Sequence, residues 1–165
     1  MKTLYLVRHA KSSWEDQGLA DFDRPLSDRG VSDAPRMGRR ITEYKQHPQL
    51  IYSSPAVRAL NTAKIIASAI DYPEQSIVTD RRVYHSDADA LLDIVRKFAD
   101  DTECVMLVGH NPGLTQFANA LLGETIDNIS TCGVVRAELK ITSWRAAKWG
   151  CGKLISFDTP KSITT

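Results

Sequence analysis

The run CVMLVG at 104–109 has no polar residue on either alternate position. A strand of that kind must be covered on both faces, as the inner strands of parallel sheets are. LYLV at 4–7 makes the same demand. Around these two runs the chain alternates between β-rich and helix-period segments. Strands are expected at 3–8, 50–54, 76–79 and 104–109, and helices at 28–46, 55–70, 87–99 and 112–122. Two alternating stretches, 134–141 and 153–157, read as a late pair of strands joined by TSWRAAKWGCG. Strand–helix alternation of this length predicts one α/β domain over 1–165. Its architecture would be a three-layer sandwich, with a mostly parallel central sheet and helices on both faces.

Local signals mark the helix ends. Ser27 is placed to cap the helix at 28–46, and Pro35 inside it predicts a kink or a second start. Ser54 is expected to cap the next helix, with Pro55 at its first position. At 87–99, Leu91, Leu92, Val95 and Phe98 share one helix face. No linker, low-complexity segment or long-period repeat divides the chain.

In an open α/β sheet, ligands bind beyond the carboxyl ends of the strands. Two of the four histidines lie there, at matched positions. LYLV is followed by Arg8, His9 and Ala10, and VMLV by Gly109, His110 and Asn111. Neighbouring parallel strands would bring both imidazoles to one edge. Adjacent side chains in a strand point to opposite faces. Arg8 and His9 therefore converge only if the strand ends at Arg8 and His9 begins a loop. Arg58 falls in the first turn of the helix at 55–70, where a cation opposes the positive helix end unless both face an anion. Asn111 is placed to cap the helix at 112–122, which would bring a second positive helix end beside His110.

Two arginines, two histidines and two helix starts at one edge suit a phosphate dianion, because guanidinium donors match phosphate oxygens in pairs. A metal is the rival reading. Two histidines could ligate zinc, but the arginines would repel it, and no Cys or carboxylate is spaced to complete the set. The formal net charge is only +1. It gives no general electrostatic reason to bind nucleic acid or a membrane surface. No apolar run approaches a membrane span. Cys104, Cys132 and Cys151 are scattered and odd in number, which reads as reduced core thiols. Met1-Lys2-Thr3 runs into the first strand without a signal-peptide pattern. A cytoplasmic location is the resulting expectation.

The segments VRHAKSSW, DRPLSDRG, SSPAVRALNTA and VGHNPGL, in this order, resemble the histidine phosphatase superfamily, also called phosphoglycerate-mutase-like. Within it the resemblance is to the SixA-type phosphohistidine phosphatases. It implies that His9 is the nucleophile that becomes phosphohistidine, and that Arg8, Arg58 and His110 clamp the phosphate. It implies no metal or organic cofactor. The third residue of the family's Arg-His-Gly signature is here Ala10. A methyl group changes little there if the backbone is not left-handed.

Many family members carry a proton-donating glutamate after the third strand. Here the text is DRRVYHSD, with Arg82 near that position. Loss of the acid should hurt phosphate esters most, since an alkoxide leaves poorly without a proton. Imidazole titrates near ~6.5 and leaves readily once protonated. The resemblance therefore points to protein phosphohistidine as substrate, with a phosphorylated protein as partner. A phosphatase of small esters and a non-catalytic phosphate-binding module are the alternatives. His85 and Asp87 are candidate replacement donors, or else parts of a solvated loop. Lys11, Ser12 and Asn111 are candidate phosphate or substrate contacts. Asp23 and Arg24 resemble a family element, with holding the loop as another reading, and Trp14 is a pocket wall or a cap on the core. His47 reads as a helix-end residue, and Thr131 has no assigned role.

Overall fold

A computed structural model of the chain describes residues 1–163. Six strands form one sheet: β1 Lys2–Arg8, β2 Leu50–Ser53, β3 Val78–Thr79, β4 Cys104–Gly109, β5 Val134–Leu139 and β6 Gly152–Asp158. Their order is β3-β2-β4-β1-β5-β6. The pairs β2–β3, β2–β4 and β1–β4 are parallel, whereas β5 and β6 are added antiparallel on the β1 side. The expected α/β sandwich with a mostly parallel centre is the observed fold.

Alternation along the central strands builds two cores. Leu4, Leu6, Val105 and Leu107 face one way, onto α3 (Ala88–Val95) and α4 (Gly113–Leu122), where Leu91, Val95, Leu114 and Phe117 meet them. Tyr5, Val7, Met106 and Val108 face the other way. There they pack on α1 (Asp28–Thr42) and α2 (Val57–Ala69) through Met37, Ile41, Ala63 and Ile66. These side chains are buried on both sides of the sheet. Each large aliphatic contributes about 1.5–3 kcal/mol of transfer free energy. The all-apolar character of β4 follows directly from this double covering.

Several element ends differ from expectation. Helix α1 stops at Thr42 rather than 46 and runs through Pro35 without interruption. Pro35 deprives the Val31 carbonyl of its helical donor. Val31 is exposed, so water can satisfy that group and no break is needed. Helix α2 begins at Val57, two residues later than expected, with Ala56 at the N-cap position. Ser54 instead closes a turn ahead of the helix, accepting from the Ala56 N–H at 3.1 Å. Strand β3 is only two residues long. Helix α3 ends at Val95 rather than 99, and Phe98 reaches the core from the turn that follows. Ser27 caps α1 through Gly30 N–H, as expected.

A close approach at Gly30 fixes the loop after β1. A Cβ there would lie 2.2 Å from the Lys11 carbonyl oxygen. That carbonyl accepts from Ser27 N–H at 2.9 Å. The bare glycine thus lets the start of α1 press against the loop that carries the first histidine.

Candidate active site

The parallel register sets Arg8 opposite Gly109, so the next residues on each strand, His9 and His110, leave the sheet side by side. Strand β1 ends at Arg8 and His9 begins the loop. The turn is held from two sides. His9 N–H donates to the Gly109 carbonyl at 3.1 Å, and Cys132 N–H lies 3.0 and 3.1 Å from the Arg8 and His9 carbonyls. Ala10 is buried, its N–H donates to Thr62 Oγ1 at 2.9 Å, and its φ is not positive. The methyl in place of the signature glycine is accommodated without strain.

His9 Nδ1 lies 2.8 Å from the Ala10 carbonyl oxygen. A carbonyl only accepts, so Nδ1 carries the proton, and Nε2 of the neutral ring keeps its lone pair. Burial pushes the His9 pKa down to about 4, and the nearby Arg58 and Arg8 guanidinium groups push the same way. The ring is therefore neutral at physiological pH. The two imidazole centroids are 5.0 Å apart. His110 is pushed further, to about 3, by burial first and then by His9 and Arg58. Its Nε2 lies 2.8 Å from Ser54 Oγ, at the end of β2. Its Nδ1 is buried and has no protein partner.

The two arginines are anchored differently. Arg8 donates from Nη1 to the Ile129 carbonyl at 3.1 Å, while its buried Nε has no partner in the protein. Arg58, second residue of α2, donates to the Asp21 carbonyl at 2.7 Å and to Asp21 Oδ2 at 2.9 Å. Asp21 offsets the conflict between Arg58 and the positive end of α2. The same carboxylate accepts from Arg24 at 2.9 Å and from the Tyr84 hydroxyl at 2.6 Å. Those bonds hold Asp21 well below the usual carboxylate range, Tyr84 being the largest influence. The Tyr84 ring lies 5.4 Å from the His110 ring and 6.0 Å from the Arg58 guanidinium.

Arg8, His9, Arg58 and His110 thus meet at one sheet edge, as expected from the sequence, with His9, Arg58 and His110 buried and Arg8 half-buried. The other expected residues behave differently. The Lys11 side chain is exposed, and its carbonyl serves the packing at Gly30. Ser12 Oγ accepts from Arg24, which is itself buried and lies 3.2 Å from the centre of the exposed Trp14 ring. Trp14 therefore does not cap the core. Arg24 also donates to the Ser13 carbonyl, so it ties the loop to the cage, whereas Asp23 is exposed.

Asn111 serves the framework rather than an open face of the cage. Its Nδ2 donates to Asn128 Oδ1 and the Ile129 carbonyl, and its Oδ1 accepts from the Thr115 N–H and hydroxyl. It thereby joins α4 to the loop that supplies the Arg8 anchor. Arg82 turns away to pair with Asp80 at 2.6 Å. Asp87 is the N-cap of α3, accepting from Ala90 N–H at 2.8 Å. His85 is exposed, has a left-handed backbone (φ 59°), and lies over Tyr84 at 3.9 Å between centroids. His47 meets the Thr42 carbonyl at the end of α1, and Thr131 is half-buried ahead of Cys132. Among the described residues no group of three or more His, Cys, Asp or Glu is placed to hold a metal ion.

Sequence reasoning missed Asp21, Tyr84, Ser54 as a partner of His110, and the Ile129 carbonyl. Asp23 and Arg24 did point to the neighbourhood of Asp21, and Tyr84 sits inside the DRRVYHSD segment already singled out. No spacing rule links Asp21 to Arg58 across 37 positions, and a backbone carbonyl leaves no mark in a sequence.

Residues 4–84 match the profile of the histidine phosphatase superfamily (branch 1). An uncharacterised chloroplastic protein of Arabidopsis thaliana is 33% identical over 154 residues, covering 88% of this chain and 70% of that one. Among solved structures, a protein provisionally described as the phosphohistidine phosphatase SixA of Agrobacterium tumefaciens superposes with a TM-score of 0.82 at 27% identity. That match covers 96% of this chain and 98% of the other. The protein histidine phosphatase SixA complexed with tungstate gives 0.83 at 18% identity, over 96% and 97% of the two chains. Among the described residues, no helix is long and apolar enough to cross a membrane.

Proposed function

The chain belongs to the histidine phosphatase superfamily, and from this premise we propose that it removes phosphoryl groups from phosphohistidine on a protein, through a phosphoryl intermediate on His9 Nε2. The observation that carries the reading is the 2.8 Å contact of His9 Nδ1 with the Ala10 carbonyl. It leaves Nε2 as a lone-pair nucleophile inside a cage of two arginines and a second histidine. Phosphoryl transfer asks for positioning and charge stabilisation more than for covalent assistance.

In the first step Nε2 attacks phosphorus, and the bond from phosphorus to the leaving nitrogen breaks. The electron pair goes to an imidazole whose other nitrogen has taken a proton from water, so a neutral ring departs. In the second step water attacks phosphorus, the bond to Nε2 breaks, one water proton is released, and phosphate leaves.

Among the described residues no carboxylic acid is free to donate at the cage, which favours this substrate over esters; His85, stacked on Tyr84 at 3.9 Å, is the one expected donor left near it. Asp21 is the carboxylate that reaches the cage, and its donors keep it ionised. Arg82 and Asp87 are engaged elsewhere. An alkoxide leaving group would find no carboxylic acid, whereas an imidazole titrating near ~6.5 can take its proton from water before it leaves. Incubation with a phosphohistidine peptide should place acid-labile phosphate on the protein. The specificity constant for that peptide should exceed that for a phosphoserine peptide or sugar phosphate by about tenfold or more. A preference for the ester would replace this reading with the small-ester phosphatase, and absence of turnover with an intact phosphate affinity would leave a binding module.

A further inference from the structure

Ser54 is fully buried, and among the described residues its Oγ has two partners: the Ala56 N–H at 3.1 Å and His110 Nε2 at 2.8 Å. The first is a donor, so Oγ accepts there. The hydroxyl still has one proton of its own to place, and a buried proton without an acceptor is strongly disfavoured. The lone pair of His110 Nε2 is the acceptor within reach. A neutral ring that accepts at Nε2 carries its proton at Nδ1. Nδ1 of His110 is the buried atom that has no partner in the protein. The residue is only 9% exposed and its ring faces that of the nucleophile.

We infer that Ser54 is a positioning residue: its hydroxyl donates to His110 Nε2, fixes the Nδ1–H form, and so makes His110 a neutral hydrogen-bond donor to the phosphoryl group on His9. The opposite arrangement fails twice. With the proton on Nε2, the Ser54 hydroxyl would have no acceptor, and Nδ1 would present a lone pair to phosphoryl oxygens. Arg8 Nε is a second buried donor without a protein partner in the same cage, and an oxyanion would satisfy both. Burial favours the neutral ring, so the choice of tautomer decides whether His110 attracts or repels the substrate. The turn Ser54-Pro55-Ala56 thus does more than start a helix. It clamps the hydroxyl at one lone pair and aims its proton at the histidine.

The assignment of the proton stands on geometry alone, while its catalytic consequence rests on the phosphatase reading above. Long-range proton–nitrogen spectra of protein labelled with 15N-histidine test the first. At neutral pH the His110 signals, identified by their loss in His110→Gln, should show the Nδ1–H form in the wild type. Ser54→Ala should move them toward Nε2–H. The Nε2–H form in the wild type would overturn the inference without any variant having to fold. For the second part, Ser54→Ala should lower kcat by roughly ten- to a hundredfold with a much smaller change in KM. Ser54→Thr, which keeps the hydroxyl, should restore both the tautomer and most of kcat. Unchanged kcat in a Ser54→Ala protein whose His110 has changed form would overturn the catalytic half. A wild type inactive on every phosphoryl substrate yet showing the Nδ1–H form would defeat the phosphatase reading and leave the tautomer assignment standing.

Discussion

The exits of β1 and β4 are near copies in backbone terms, yet they present opposite ends of the same ring. His9 spends Nδ1–H on a backbone carbonyl and shows the substrate a lone pair. His110 meets a hydroxyl at Nε2 and leaves Nδ1 buried without a protein partner. The sequence of each strand exit is almost the same: four apolar residues, one more, then histidine. What differs is the chemistry of the group behind the ring. A carbonyl can only accept, so it makes a nucleophile; a hydroxyl can donate, so it makes a donor. On the proposed reading, two matched positions at one edge thereby take the two complementary roles that phosphoryl transfer needs.

The asymmetry is sharpest when each ring is removed. His9→Ala should abolish both turnover and acid-labile labelling, with a loss of about 10⁴-fold or more, because no other group replaces the covalent step. Turnover identical to wild type would remove His9 from the nucleophile's role. His110→Gln should cost less, about 10²–10³-fold, as expected for deletion of one preorganised donor. The label on His9 should still form in this variant, only slowly. If instead the label transferred to His110 in the His9 variant, the two exits would be interchangeable and the contrast between them would collapse.

The edge and its four cage residues were legible because they rest on periodicity and register. Two wholly apolar strands bring His9 to His110 by equal spacing if they are parallel neighbours, and the register of β1 with β4 makes them so. Arg58 was legible from the conflict between its charge and the helix end. The anchors were not. Ile129 holds Arg8 through a carbonyl, and Asn111 looked like a phosphate contact because nothing in HNPGL shows that the loop at 126–129 folds back onto its amide. The start of α2 was misplaced for a related reason. Pro55 and Ser54 make good helix-start residues, but the serine is committed to His110 and the helix waits until Val57.

Both rings are buried neutral, and that leaves a signature in stability. A histidine whose folded pKa lies below its unfolded value near ~6.5 binds its proton in the unfolded chain first. Stability is then lost as pH falls from about 6.5 toward the folded values, about 4 for His9 and about 3 for His110. The shift at His9 corresponds to roughly 3 kcal/mol across that window. Thermal unfolding between pH 7 and 4 should therefore show a falling Tm, and His9→Asn should flatten part of the slope while leaving the His110 share. An unchanged slope would mean that the β1 ring is solvated enough to titrate normally, and the two exits would then differ in burial as well as in wiring.

A smaller effect separates the two arginines that flank these exits. Arg8 is held by one backbone carbonyl, whereas Arg58 is held by a carbonyl and a carboxylate of the same residue. Asp21→Asn keeps an oxygen acceptor and the backbone contact but removes the charge, so Arg58 becomes anchored much as Arg8 is. The carboxylate also collects Arg24 and Tyr84, which lie on the loop and the rim rather than in the cage. If the charge is needed to orient Arg58, kcat should fall by about three- to tenfold, since small losses of orientation carry through to the transition state. The same variant loses a negative charge beside a phosphate site, so competitive inhibition by inorganic phosphate should tighten. A lower kcat together with tighter phosphate binding would show that Asp21 trades ground-state affinity for alignment. Tighter binding with kcat intact would show that the carbonyl alone aligns Arg58, and that the two arginines are held equivalently after all.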